Sequence, residues 1–440
     1  MLEAFKNHLE KQFPYLKKST SILAISGGID SVALAHLLHA LNYPVIFAHC
    51  NFHLRAAESD KDAAFIEKLA QKLQNRVIIQ NFDTLAFAED HKISTQMAAR
   101  ELRYQWFEEL RQEQGADFIL TAHHANDTLE TFLINLGRGS GIDGLQGIPE
   151  QNRSILRPLL PFSREEIASY FTKNGFEWRE DASNYSDKYL RNHFRHHAIP
   201  KLMEAVPNFL DMFSTSLKHL QTSSALVEDY IALIYPKIVT QTFDGYRLNI
   251  AQIQQIPHKE AVLYELLKDF GFTAWEDVYA LLEAQSGKVV LSPTHRLVKD
   301  RNFLLLVVAE NQNDDIIEVN ATDKILHLEG RVLSVENIEK MDDFGSKSAV
   351  FEAERLDFPL TIRNWQEGDY FYPFGMQGKK KLSKYFKDEK FSILDKEKAK
   401  VLCNGNEIIW VMGHRIDERY RVQKGAKKLL KFTVSDFPIV

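Results

Sequence analysis

Residues 26 to 31 read SGGIDS, between an apolar run, Ile22 to Ile25, and a stretch whose apolar residues Val32, Leu34, Ala35, Leu37 and Leu38 keep helical spacing. Glycine reaches positive φ without steric cost, so Gly-Gly alone predicts a tight turn. The full string predicts a phosphate site, because successive backbone N–H groups at the start of a helix form a positive nest for an oxyanion. Ser26 and the amides of Gly27 and Gly28 can wrap a diphosphate, Ser31 can donate from the first turn, and Asp30 can hold a magnesium ion that screens leaving phosphates. A Walker A loop would end in Gly-Lys-Ser/Thr, which is absent. A second candidate is TAHHANDTLETFLINLGRGSG, residues 121 to 141. Asp127 and Glu130 are three apart and share one helix face, where two carboxylates can hold a metal, receive a cationic substrate, or simply balance the charge of a helix N-terminus. His123 and His124 just before them are either ligand groups or packed imidazoles.

Such groups need a scaffold, and the surrounding sequence supplies an alternation of strands and helices. VIFAHC (45 to 50), NRVIIQ (75 to 80) and ADFILTAHH (116 to 124) read as strands, and residues 58 to 74 and 94 to 114 as helices. The pattern predicts an α/β domain with a parallel sheet covered on both faces. Ligands in such sheets sit at the carboxyl ends of the strands, where Ser26 to Ser31, His49 to Arg55 and His123 to Glu130 all fall. Residues 138 to 162 are rich in Gly and Pro and read as a long ordered loop or hairpin, with 137 to 147 a candidate cover for the site. SREEIASYFTKNG (163 to 175) is a capped helix. Helices continue to about residue 235, a small α/β unit ending in a strand pair fills about 245 to 310, ENQNDDIIE (310 to 318) reads as a joint, and strands dominate from 325 onward. We expect three domains, at 1–205, 206–318 and 319–440.

With 440 residues, 45% hydrophobic, the chain can bury several cores. It carries no apolar stretch of membrane-spanning length and no signal-peptide core, which predicts a cytoplasmic protein. Cys50 and Cys403 are its only cysteines and form no CxxC, arguing against a disulfide framework, a zinc ribbon or a cysteine-held cluster. The net charge of −6 is unevenly spread. Residues 361 to 440 hold 17 Lys and Arg against 10 Asp and Glu, so that segment carries +7 and the remainder −13. A basic end on an acidic body suits a polyanion, with a solvated lysine-rich face as the plain alternative. Lys379, Lys380, Lys381 and Lys384 form one basic run, and Lys424, Lys427, Lys428 and Lys431 another.

The S-G-G-x-D-S string after a strand resembles the PP-loop of ATP pyrophosphatases, and the longer segments resemble the tRNA(Ile)-lysidine synthases. TAHHANDTLETFLINLGRGSG resembles that family's T-A-H-H-x-D-D-Q-x-E-T…RGSG stretch, and STQMAARELRYQWF its A-A-R-x-x-R-Y helix, with Arg100, Arg103 and Tyr104 in place. EDASNYSDKYLRNHFRHHAIP (180 to 200) and the stretch from IRNWQEGDYFYPFGMQGKKKLSKYFKDEK to IIWVMGHRID resemble two further segments. The family's H-x-N-H-x-L-R appears as HCNFHLR, with Phe52 in the second histidine's place and His53 after it, and Asn126 and Thr128 replace the more usual Asp and Gln.

The resemblance implies a PP-loop, adenine nucleotide alpha hydrolase-like N-terminal domain, a helical linker and two smaller C-terminal domains, the last mostly β. It implies that ATP, with Mg2+, adenylates O2 of cytidine 34 in the CAU anticodon of tRNA(Ile), and that free lysine then displaces AMP at C2. Asp30, Asp127, Glu130 and Arg103 would be catalytic, with Asp30 the metal ligand. Ser26, Gly27, Gly28, Ile29, Asp30, Ser31, His49, Asn51, Arg55 and His123 would bind ATP, and Asp127 and Glu130 would receive lysine. Arg191, Arg195, Lys379, Lys380, Lys381 and Lys384 would bind tRNA, and a second copy of the chain is a further expected partner. A PP-loop thiolase is the nearest rival reading, disfavoured by the two isolated cysteines. A nucleotide sensor without chemistry is the other.

Overall fold

The computed structural model describes residues 1–54, 57–179, 190–309, 316–328, 331–340, 345, 347–423, 425–426 and 428–436. The chain divides into two compact units, Met1–Asp229 and Tyr230–Val440. No helix among the described residues is long and apolar enough to cross a membrane.

The first unit opens with α1 (Leu2–Gln12), followed by β1 (Ser21–Ala24), α2 (Ile29–Ala40), β2 (Val45–Asn51), α3 (Ala57–Lys72), β3 (Val77–Asn81), α4 (Thr84–Asp90), α5 (Thr95–Glu113), β4 (Phe118–Leu120) and α6 (Ala125–Gly137). A short hairpin, β5 (Gln151–Asn152) and β6 (Ile155–Leu156), precedes α7 (Arg164–Asn174), α8 (Leu190–His193), a π-helical turn at Phe194–Ala198, α9 (Ile199–Ala205) and the long α10 (Phe209–Ile238), which continues into the second unit. The strands form one sheet in the order β3-β2-β1-β4-β6-β5. β1 pairs in parallel with both β2 and β4, so the chain runs outward to β3 and then returns to the other side of β1. That reversal leaves a crevice at the carboxyl end of β1.

Both faces of the sheet are covered. Leu23 and Phe47 face one apolar core with most of α2, whereas Ile22 and Ala48 face another with Trp106, Phe107 and Leu110 of α5. Alternate residues of one strand thus serve opposite cores, as a doubly covered parallel sheet requires. α2 is buried along nearly its whole length, which is why its sequence is apolar on every side.

In the second unit β7 (Val239–Thr242), β8 (Gly245–Asn249), α11 (Ile250–Gln254), α12 (Lys259–Leu267), α13 (Trp275–Ala280), β9 (Val289–Leu291), β10 (His295–Asp300) and β11 (Phe303–Val308) build a five-stranded antiparallel sheet, ordered β7-β8-β11-β10-β9, with helices on it. The expected strand pair, KVVLSP and HRLVKDRNFLLLVV, is three strands, β9, β10 and β11, which form one side of this larger sheet with β9 at its edge. Then come β12 (Ile317–Val319), β13 (Ile325–Leu328), β14 (Arg331–Ile338), β15 (Ser348–Glu352), β16 (Leu360–Asn364), β17 (Tyr370–Phe371), β18 (Lys380–Lys381), α14 (Leu382–Asp388), α15 (Ile393–Glu397), β19 (Lys400–Asn404), β20 (Glu407–Val411) and β21 (Leu429–Asp436). Two four-stranded sheets, β12-β16-β19-β20 and β13-β14-β21-β15, share a core containing Leu333, Phe351, Ile362, Trp410 and Phe432.

Candidate active site

The loop from β1 to α2 is closed by its own serines. The Ser26 backbone N–H donates to Ser31 Oγ at 3.2 Å, the two hydroxyls are 3.2 Å apart, and Ser31 Oγ donates to the Gly28 carbonyl at 3.0 Å. Gly27 has φ of +90°, a conformation that a side chain would strain. Gly28 caps α2 without any side-chain acceptor for the helix's first N–H groups. An oxyanion is the natural complement of such an end.

Asp30 lies in the first turn of α2, and its Oδ2 is ion-paired with Arg164 of α7 and stands 3.8 Å from His124 Nε2. Its Oδ1 and His124 Nδ1 are both buried with no hydrogen-bond partner among the described residues. Two neighbouring side chains each holding an unused polar atom suit a site whose ligand supplies the partners. His124, more than His123, is the histidine facing the carboxylates. His123 instead meets Thr121 Oγ1 at 3.0 Å through Nδ1. Burial above all, with the Arg157, Arg191 and Arg100 charges and against that of Asp127, lowers its pKa to about 4. An NMR titration of His123 should therefore show a midpoint near 4, and a midpoint at the ordinary histidine value would refute this environment. Since the unfolded imidazole takes up a proton below its ordinary 6.5, this group removes stability as pH falls from 6.5 to about 4.

Asp127 and Glu130 are buried on α6. The His124 backbone N–H donates to Asp127 Oδ2 at 3.0 Å, so Asp127 does perform the capping role that its position allowed. Their remaining oxygens meet two arginines. Arg191 Nε and Arg195 Nε donate to the two oxygens of Glu130, each at 2.6 Å, and Arg191 Nη2 and Arg195 Nη2 approach Asp127 Oδ1 at 2.9 and 3.3 Å. Burial pushes the Asp127 carboxyl up, but His124, Arg191, His123 and the His124 amide outweigh it and hold its pKa below the usual value. Asp127 thus stabilises the fold at neutral pH, and this contribution fades only as pH falls through that lowered value. Arg191 and Arg195, expected to face RNA, here serve as counter-charges for the carboxylates expected to face lysine.

On the β2 side, His49 is buried and its Nδ1 lies 2.9 Å from the Ile25 carbonyl, tying β2 to the loop. Chiefly through burial its pKa is lowered. Asn51 is buried, donating to Asp60 Oδ1 at 3.3 Å and accepting from the His53 N–H at 3.1 Å. Arg55 lies outside the described residues. Arg103 stacks over Phe52, 5.2 Å from the ring centroid, and its charge reaches His49 and Cys50. A cavity of about 350 Å³ lies at the ends of β2 and β3, lined by Phe52, His53, Asn81, Phe82, Asp83, Thr84 and Leu85.

The glycine-rich loop is pinned: Asn135 Nδ2 donates to the Gly144 carbonyl at 2.7 Å, and Gln146 Nε2 to Ser224 Oγ of α10 at 2.8 Å. A Cβ on Gly147 would meet Thr128 Cγ2 at 2.5 Å, so this glycine lets the loop lie directly on α6. In the second unit Lys380 is ion-paired with Asp388 at 2.8 Å, whereas Lys379, Lys381 and Lys384 are exposed. Lys428 is exposed, and Lys424 and Lys427 lie outside the described residues.

Among the described residues no three His, Cys, Asp or Glu side chains cluster as a metal site. Asp30 Oδ1 is a single available hard oxygen, which fits magnesium, since that ion is commonly held by one or two carboxylates with substrate phosphates and water. Burial raises the Cys50 thiol to about 12 and also raises that of Cys403, so neither supplies a thiolate at neutral pH.

Residues 1–202 match the PP-loop domain family, 241–309 the TilS substrate binding domain and 360–432 the TilS substrate C-terminal domain. The chain is 40% identical to the tRNA(Ile)-lysidine synthase of Parabacteroides distasonis, over 98% of this chain and 99% of that one. It is 38% identical to the enzyme of that name from Bacteroides thetaiotaomicron, over 97% and 98%, and 34% identical to that from Porphyromonas gingivalis, over 92% and 91%. The PP-loop domain makes this an ATP-binding protein. Because the likeness runs through all three domain matches and almost the full length of each relative, the chain belongs to the tRNA(Ile)-lysidine synthase family.

Proposed function

We propose that this chain joins free lysine to C2 of cytidine 34 in the CAU anticodon of tRNA(Ile), through an adenylated cytidine, releasing AMP and pyrophosphate. The product, lysidine, changes decoding from AUG to AUA. The observation that carries this reading is the meeting, at one end of one parallel sheet, of an open helix N-terminus and a buried carboxylate pair, in a chain of this family. The amides at the start of α2, with Ser26 and Ser31, hold the phosphates of ATP. Asp30, backed by Arg164, holds magnesium, which when bound screens the charge on the departing pyrophosphate. Asp127 and Glu130 receive the lysine ammonium, which has to compete with Arg191 and Arg195 for the same oxygens. Residues 1–205 form the catalytic domain and the basic segment 319–440 grips the tRNA, with Lys379, Lys381 and Lys384 on phosphates. The raised cysteine thiols weigh against sulfur transfer.

Mass analysis of nucleoside 34 after incubation of the full chain with tRNA(Ile), ATP and isotope-labelled lysine tests the proposal. The labelled lysine should appear on that nucleoside, with AMP released in equal amount. Unchanged cytidine, or a sulfur-bearing base, overturns it.

A further inference from the structure

The Gly27 carbonyl is held from outside its own loop: it accepts the backbone N–H of Arg179 at 3.0 Å, from a segment that follows α7 far along the chain. The Gly27–Gly28 peptide is trans, so its carbonyl and its N–H point in opposite directions. The bond to Arg179 therefore turns the Gly28 N–H into the loop, where its acceptor among the described residues is Ser26 Oγ at 3.4 Å. Side chains put Arg179 in place. Its Nε donates to Asp62 Oδ1 and its Nη2 to Glu58 Oε2, the latter at 2.7 Å, so the guanidinium spans one turn of α3. Just before it, Phe176 lies flat on His36 of α2, with ring centroids 3.8 Å apart, and Trp178 meets Phe171 edge-on at 5.4 Å. Gly27 rests on α3 as well, since a Cβ there would come within 3.7 Å of Ile66 Cδ1. One helix thus supports both the loop and the residue that holds it.

As an ion pair the contact with Glu58 adds little to stability, because that carboxylate's side chain is 53% exposed. The effect on the loop is larger. A peptide between two glycines can turn over at small steric cost, and Gly27 already sits at φ +90°. Turned over, it would aim a carbonyl instead of an N–H at the phosphates, exchanging an attraction for a repulsion at the same spot. We propose that Arg179 is a positioning residue for the ATP-dependent step: clamped to Asp62 and Glu58, it holds the Gly27–Gly28 peptide with its N–H toward the ATP phosphates. It acts on the nucleotide only through that peptide. This rests on the placement of the ATP phosphates in the loop proposed above.

The test measures dissociation constants of the full chain for ATP and for adenosine, which lacks the phosphates, with a thermal melt of each variant. Arg179→Met keeps the backbone N–H but releases the clamp. It should weaken ATP binding about 10-fold, the lower end for a hydrogen bond to a charged group, while adenosine binds as before. Arg179→Lys keeps a cation that reaches one of the two carboxylates and should stay within about 3-fold of wild type for ATP. Arg179→Pro has no N–H to give and should lose at least as much ATP affinity as Arg179→Met; if it does not fold, the methionine variant decides. Equal losses for ATP and adenosine, unchanged ATP binding in Arg179→Met, or a lysine variant as weak as the methionine one overturns the positioning role. So does a folded proline variant that binds ATP like the wild type. A wild-type chain that binds ATP no more tightly than adenosine overturns instead the placement of the phosphates in the loop.

Discussion

Asp30→Asn is expected to leave a folded protein whose tRNA-dependent pyrophosphate release falls roughly 10³-fold, the scale expected when a reaction loses its main screen for leaving-group charge. The substitution keeps the size of the side chain, so little packing is disturbed. Its cost to stability should be small, because Arg164, its partner, has a side chain 43% exposed and can turn to water. ATP binding should persist in part, since the backbone amides of the loop are untouched. Pyrophosphate release measured with saturating tRNA and lysine checks the rate, and a thermal melt checks the fold. Turnover within a few-fold of wild type would remove Asp30 from the reaction.

The second large effect is expected at Glu130, and it falls on stability and chemistry together. Glu130 is fully buried and both its oxygens are occupied by arginines. Glu130→Ala strands two guanidiniums near Asp127, which already has its own hydrogen bonds. Breaking a buried pair by removing one partner costs about 3 to 5 kcal/mol, and since both arginine side chains are more than a third exposed, about 3 is the better figure. For a unit of this size that lowers the melting temperature by about 10 °C. Glu130→Gln keeps part of the hydrogen bonding and should melt between the two. Both should lose lysine-dependent AMP release more than ATP binding. A Glu130→Ala protein that melts with the wild type would show the arginine contacts to be of no consequence for the fold.

The loop at 26–31 was legible in the sequence because its chemistry is local: strand, glycine turn, cap and helix follow one another within a dozen residues. Asp127 and Glu130 were legible as a pair for the same reason, as i,i+3 neighbours on a helix. Their counter-charges were not, since Arg191 and Arg195 arrive from about sixty residues further on, and no periodicity links α6 to the π-helical turn. Arg164 joins Asp30 across 134 residues and left no signal either. Run length misled once, where 116 to 124 forms a strand only at Phe118–Leu120. The chain turns away at Thr121 to lead into α6, and only two residues of β6 lie alongside β4. The lysine run read as uniformly available, but Lys380 is spent on Asp388.

β21 lies between β14 and β15, pairing eight residues with the first and five with the second, and it brings Phe432 into the core. β14 precedes it in the chain by about a hundred residues and β15 by about eighty. At a synthesis rate of about 5–20 residues per second, β14 leaves the ribosome roughly 5–20 s before the strand that completes its sheet. Throughout that interval β14 has an open edge and an uncovered apolar face, the state most exposed to pairing with the wrong chain. Production of this protein should therefore depend on translation speed and chaperone supply in its final quarter as well as in its nucleotide-binding half, where β1 waits about as long for β4.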